Sequence, residues 1–387
     1  MKKIILLFTL LLFTKISISQ IEVGEVDSYG RNEFIEGSYE TFLKTTTIFV
    51  FSNVFEKEFY QDMLSKNWTI TPYKIVDYKD FVATDYLSSK YSFCILQAFK
   101  STAGNEYMNS RLDLYILDID NINKKIEKTK WEKYSKEDAE HRKLSIVLDY
   151  DIDLGAIYFY PYSSLIGVPP FSSLEYGKVS DLGYKKTEMS YSTAIIPNGP
   201  YLYYMGYTQK DDIVPLKEMH EQYYNEKIHY NYEKLMLSNY IQEFNARLLE
   251  KKLCAVKEES SNSLKPLAEL KNLKTATLYL PEYLKISYDG WKVNDKKMSS
   301  SEISKMLSTY KYKTAWATYA ELDQKLESGE EFYYLNYTRN QSYRQFQIVN
   351  GKTGQILYKF VNNIKTMDDF DPKDKDFEAI NKVISEM

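Results

Sequence analysis

Two spacings of apolar residues alternate along this chain, and the alternation occurs twice. Residues 46–51 and 275–280 are short β-branched and aromatic runs that predict strands. Behind each run the apolar positions switch to intervals of three and four. Phe55, Phe59 and Met63 recur this way in one place, and Ile303, Met306, Leu307 and Tyr310 in the other, so each strand leads into a helix. Residues 68–76 and 312–317 read as strands again. An acidic turn into a short helix follows at 77–81 and 318–322, then an aromatic strand at 91–96 and 332–337. Both stretches contain Met-Leu-Ser, at 63–65 and 306–308. The second closes on a hairpin over 345–358, where Asn350-Gly351 supplies the positive φ angles of a tight turn. The pattern predicts an α/β (α+β) protein of two diverged β-α-β-α-β-β units, at 44–128 and 271–361, each an open sheet with helices on one side.

The middle of the chain follows another rule. Residues 144–148 and 156–160 read as strands, and 158–207 is dense in Tyr, Pro, Gly and Ser. Aromatic content of that kind argues for a long ordered loop or irregular hairpins, because disordered chains are poor in it. Leu237, Ile241, Phe244 and Leu248 mark one apolar face of a helix over about 231–253, expected to pack on one of the sheets. The polar run 257–263 predicts a linker, which divides the chain into a first unit at 20–256, a linker at 257–265 and a second unit at 266–387. Ser299 and Glu302 form a capping box at the head of a second-unit helix. Asp371-Pro372 predicts the start of a final helix carrying Phe377, Ile380, Val383 and Ile384.

The order of elements, ending in the hairpin Val-Asn-Gly-Lys-Thr-Gly-Gln-Ile-Leu-Tyr at 349–358, resembles the TolB amino-terminal-like and curli-secretion-lipoprotein-like α/β domains of bacterial envelope proteins. In those families the last hairpin also reads as an apolar strand, a turn with Thr-Gly and another apolar strand. In the first unit Leu-Asp-Ile-Asp-Asn-Ile-Asn at 117–123 stands in place of the glycine turn. The chain as a whole resembles exported bacterial proteins with duplicated α/β units. The resemblance implies a fold and an envelope setting, and no activity.

Charge and the amino end point the same way. Lys2 and Lys3, an apolar stretch at 4–13 and small residues at Ser17 and Ser19 make residues 1–19 a secretory signal peptide, cut before Gln20. The apolar stretch falls short of the roughly 20 residues needed to span a bilayer. Export to the periplasm or cell surface of a Gram-negative bacterium is the expectation, with no transmembrane span in the mature chain. Cleavage removes Lys2, Lys3 and Lys15 and takes the formal net charge from −4 to −7. An acidic chain is a poor ligand for phosphate backbones, so nucleic acid is excluded as a partner.

Candidate chemistry is sparse. Asp149, Asp151 and Asp153 stand at alternate positions, where carboxylates on one face offer oxygen ligands to calcium. Leu154 occupies the place a calcium loop gives to glycine, and Tyr160 the place of its bidentate Glu, so a solvated acidic strand end competes with that reading. Among His141, His220 and His229, only His229 with Glu233 has an i, i+4 spacing suited to zinc. No nucleophile elbow, Cys-His pair or phosphate loop occurs. Cys94 and Cys254 read as two buried free thiols. The chain has 37 tyrosines in 387 residues, and those in the middle segment, notably Tyr158, Tyr160, Tyr162, Tyr201, Tyr203 and Tyr204, suit recognition of a partner or a glycan. The expectation is a non-catalytic exported binding or scaffolding protein without a cofactor, whose partner is an envelope protein or a glycan. A metal-assisted hydrolase using calcium or zinc, or a glycan binder using the tyrosines, stands as the alternative.

Overall fold

The computed structural model describes residues 21–26, 32–101, 107–135, 149–159, 192–195, 201–205, 214–215, 231–253, 266–289, 294–339, 343–364 and 369–387, with the single positions 139, 142, 143, 146 and 147. The first unit comprises β1 (Ile21–Val23), the short pair β2 (Glu25–Val26) and β3 (Asn32–Glu33), α1 (Ser38–Phe42), β4 (Thr46–Val50), α2 (Lys57–Asn67), β5 (Tyr73–Ile75), a 3-10 turn at Ala83–Tyr86, β6 (Tyr91–Ser101), β7 (Tyr107–Leu117), α3 (Ile119–Lys128) and β8 (Asp151–Phe159). The meander β9 (Ser192–Ile195), β10 (Tyr201–Met205) and β11 (Val214–Pro215) leads to α4 (Lys234–Leu249). The second unit has a 3-10 segment at Ala268–Lys274, β12 (Leu278–Pro281), the hairpin β13 (Ile286–Asp289) and β14 (Asn294–Lys297), α5 (Ser300–Met306), β15 (Thr314–Ala317), α6 (Tyr319–Glu327), β16 (Tyr333–Arg339), β17 (Tyr343–Asn350), β18 (Ile356–Asn363) and α7 (Asp374–Glu386).

The two sheets share one topology. The first runs β5-β4-β6-β7-β8-β1 and the second β15-β12-β16-β17-β18, with the first three strands parallel and the rest antiparallel in both. Their registers coincide as well. When the pair Ile48–Phe93 is set on Tyr279–Tyr334, Phe93–Tyr115 falls on Tyr334–Val349 and Asp113–Ala156 on Gln347–Lys359. Each sheet even has its irregularity in the same place, between Leu114 and Tyr115 and between Ile348 and Val349, with buried Leu154 and Leu357 as the extra residues.

Several expectations change. Both sheets have more strands than β-α-β-α-β-β supplies, five in the second and six along β5-β4-β6-β7-β8-β1 in the first, where β8 lies past residue 128 because α3 replaces a tight turn. Asp118 caps α3 by accepting from the Asn121 amide at 3.0 Å. Residues 146 and 147, expected in a strand, are helical. Helices lie on both faces of the second sheet rather than on one. In the second unit α5 and α7 cover Leu335, Phe346 and Ile348, while α6 and α4 cover the opposite face at Tyr334 and Val349. A strand covered on both sides has no solvent face, and β16 is buried at every position.

The helix expected on one sheet packs between two. On one side Phe244 of α4 meets Trp68, and the Asn245 side chain accepts from the Thr69 and Ile70 amides. On the other, Asn239 donates to the Gly351 carbonyl at 3.0 Å and accepts from the Tyr334 hydroxyl at 3.1 Å. That double burial explains why every residue of α4 from Leu235 to Ile241 is enclosed. In its own unit α4 sits beside α2, as α7 sits beside α5 in the second, so each unit ends in an equivalent helix.

The final hairpin also differs from expectation. Its turn runs to Gly354, the residue with positive φ, and Asn350 Oδ1 accepts from the Lys352 and Thr353 amides. Gly351 is needed for space instead, since a Cβ there would lie 2.2 Å from the Phe332 ring. Helix α7 begins at Asp374 rather than at Pro372. Asp371 is drawn to Arg339 at 2.6 Å, and Asp376 accepts from the Lys373 amide and pairs with Arg344 at 3.0 Å.

Candidate functional site

Two polar layers occupy equivalent places in the two sheets. Both lie on the face away from the unit's own terminal helix, over the outer strands, toward the carboxyl ends of β6 and β16.

In the first unit the register sets Arg111 and Asp113 of β7 beside Tyr158 and Ala156 of β8, and Glu22 of β1 beside Ala156. Arg111 Nε meets Asp113 Oδ1 at 2.5 Å, and the Tyr158 hydroxyl donates to Glu22 Oε2 at 2.8 Å. Burial pushes the Asp113 carboxyl up to about 7, opposed by the Arg111 guanidinium and reinforced by Asp153 and Asp151. Burial likewise raises the Tyr158 hydroxyl, with Glu22 adding to the effect. Arg111 is held protonated by Asp113 and Tyr158 against its own desolvation.

This is where several sequence candidates converge. Asp151 and Asp153 pair with Leu117 and Tyr115, which puts both on the Asp113 face, whereas Asp149 is exposed in the turn before β8. Among the described residues no group of three or more His, Cys, Asp or Glu side chains is arranged to hold a metal ion. Asp151 and Asp153 therefore act on Asp113 through space. Tyr158 is a half-buried hydrogen-bond donor in β8 rather than a loop residue. Tyr201, Tyr203 and Tyr204, read from composition as loop, lie in β10, between β9 and β11. Tyr160, Tyr162, His141, His220, His229 and Cys254 fall outside the described residues. Cys94 is a buried free thiol facing α4, its pKa pushed well up by burial.

In the second unit the corresponding positions are neutral amides. Asn336 donates to Gln347 Oε1 at 2.8 Å and to the Tyr240 hydroxyl of α4 at 3.0 Å. One row further along, Thr338 pairs with Gln345, and Lys359 lies beside Gln347. All five side chains are buried. Sequence reading missed this layer because Asn, Thr and Gln in a strand carry no motif. The one available signal was their alternation with Tyr and Phe, which marks a strand whose two faces differ.

The tyrosine-rich middle enters the first sheet at a defined point. β6 pairs with β4 along Tyr91–Ile95 and with β9 at Phe99 and Lys100, so the meander continues the sheet from the tip of β6. No helix among the described residues is long and apolar enough to cross a membrane. No protein-family profile, curated protein or solved structure matches the chain.

Proposed function

We propose that the protein is a non-catalytic, exported binding or scaffolding module of the cell envelope, and that its tyrosine-rich middle carries the recognition surface. The observation that supports this reading is the pairing of β9 with the tip of β6. It joins the backbone of β10, the strand that contains Tyr201, Tyr203 and Tyr204, to the first sheet, and a supported backbone is what recognition surfaces need. Export rests on the composition of residues 1–19. The partner is an envelope protein or a glycan.

The test compares the wild-type chain with a Tyr201→Ser, Tyr203→Ser, Tyr204→Ser variant in crosslinking to native envelope fractions and on an immobilised glycan panel. The expected result is a specific partner or glycan bound by the wild type and lost in the variant. Hydrolytic turnover on esters, glycans or peptides that one point substitution abolishes would overturn the reading.

A further inference from the structure

We infer that the exposed basic side of α3, with the turn that follows it, is a docking surface for a membrane of anionic phospholipid, and that it sets the first sheet end-on against the bilayer. The observations come from charge, from burial, from comparison of the two units and from the direction of the strands.

The chain is acidic, yet residues 124–133 hold five lysines, Lys124, Lys125, Lys128, Lys130 and Lys133, against Glu127 and Glu132. All five are exposed, and none of their ammonium groups makes an ion pair or a hydrogen bond. Exposed lysines elsewhere, such as Lys66, Lys251 and Lys296, are drawn to carboxylates. The helix dipole accounts for Lys125 and Lys128, in the last turn of α3. It does not account for Lys124, nor for Lys130 and Lys133 beyond the helix end.

Ile122 of α3 is buried and Ile119 and Ile126 are half-buried against the core, so Lys124, Lys125 and Lys128 share the side turned to solvent. Past the helix, the Trp131 indole donates to the Ile126 carbonyl at 2.9 Å, and its ring stands 6.2 Å from that of Tyr134. Tyr134 follows Lys133 directly and is 38% exposed. Lysines on one side of a helix with an open aromatic ring beside them suit the headgroup layer, the ammonium groups on phosphate and the ring between the headgroups.

The second unit lacks this surface. There the connection between the equivalent strands, β17 and β18, is the turn 351–355, whereas in the first unit residues 118–150 join β7 to β8. The second sheet closes without such an insertion, and long connections on a scaffold that does not need them commonly carry function.

The insertion also stands at the right end of the sheet. α3 leaves β7 at Leu117, while β9 joins β6 at Phe99 and Lys100, beside the opposite end of β7. At roughly 3.4 Å per residue, β7 separates the two by about 30 Å. A bilayer against α3 therefore leaves the meander at the far end, open to a partner.

Lysine is a point charge on a flexible stem and makes no planar fork, so a row of lysines fits many mobile headgroups better than one fixed phosphate or carboxylate. The inference rests on the envelope setting proposed above for where such a surface is met, and on no property of the tyrosines.

The test is cosedimentation of the chain from Gln20 onward, without the apolar stretch 4–13, with vesicles of equimolar phosphatidylcholine and phosphatidylglycerol and with vesicles of phosphatidylcholine alone. Binding is expected to the anionic vesicles only, and to disappear between about 0.15 M and about 1 M salt. The combined variant Lys124→Gln, Lys125→Gln, Lys128→Gln, checked for folding by circular dichroism, should partition about a hundredfold more weakly. Tyr134→Ser should bind severalfold more weakly. A control that removes as much charge from exposed lysines of the second unit, Lys305→Gln, Lys311→Gln, Lys313→Gln, should stay within about threefold of the wild type. The Tyr201→Ser, Tyr203→Ser, Tyr204→Ser variant should bind vesicles as the wild type does, which separates failure here from failure of the recognition surface. The inference is overturned if the wild type ignores anionic vesicles, or if the two lysine variants weaken equally. It is also overturned if dextran sulfate binds and anionic vesicles do not, which assigns the surface to an anionic glycan.

Discussion

Position for position, Arg111 and Asp113 of the first sheet correspond to Gln345 and Gln347 of the second, on strands that share order, direction, register and bulge. The backbones are equivalent, but the chemistry differs. In the first unit a half-buried guanidinium faces a carboxylate that burial has pushed toward neutrality. In the second, uncharged amides face the helix α4 and leave atoms unpaired. The scaffold fixes where a polar group can stand, and the side chain decides whether that place carries charge or stays neutral.

Opposite outcomes at equivalent positions are the sharpest way to break this comparison. Arg111→Leu strands a buried carboxylate and should cost about 3 kcal/mol or more at pH 8, read from urea denaturation. The loss should shrink at pH 5, where Asp113 carries its proton. A pH-independent loss would mean that Arg111 acts through packing alone.

The wild type should also show the charge directly. Folded Asp113 holds its proton at pH values where the unfolded chain has released it, so the folded state binds more protons between about pH 4 and pH 7. Stability should therefore fall as pH rises through that window, by at most about 4 kcal/mol for the gap between an ordinary carboxylate and a value of about 7. Asp113→Asn should flatten the slope. A slope that survives this substitution assigns it to another group.

Smaller effects belong to the second sheet. Asn239→Ala leaves the Gly351 carbonyl and the Tyr334 hydroxyl buried without their partner and should cost about 1–3 kcal/mol. Hydrogen exchange in β16 and β17 should quicken while β6 and β7 stay protected, and equal loss in both sheets would contradict the division of α4 into two sides. Gln345→Leu should do the reverse of Arg111→Leu and raise stability by about 1 kcal/mol, because it removes two unpaired atoms. A loss there would show that those atoms are satisfied in solution.

Much of the frame was legible from periodicity. The paired strand and helix signals located β4, β12, α2 and α5, and the Ser299–Glu302 box formed as local chemistry requires, with Glu302 accepting from the Ser299 amide at 2.6 Å. The aromatic strands β6 and β16 were also apparent. Failures came where distant contacts overruled local pattern. Nothing near Asp151 announces that β8 pairs with β7 across α3, and nothing in Leu237, Ile241, Phe244 and Leu248 shows that the far side of the helix meets Tyr334. The polar layers were illegible for the same reason. Arg111 and Asp113 look like any charged pair at alternate strand positions until β8 and β1 enclose them. Asp149, Asp151 and Asp153 drew attention by spacing, yet their fold divides them between a turn and a sheet face.

The position of α4 sets a timetable for the ribosome. Strand β8 ends at Phe159 and α4 does not begin until Lys234, about 75 residues later. At 5–20 residues per second, that separation keeps Cys94, Leu112, Leu114 and Ile157 without their covering helix for roughly 4–15 s of synthesis. For that interval the nascent first half is a half-finished surface that sticks to whatever apolar chain is nearby. The same helix must then wait again, with Asn239 and Tyr240 exposed, for β16 to arrive. A protein built around a shared internal helix is committed to late closure, and its yield depends on what shields the chain while it waits.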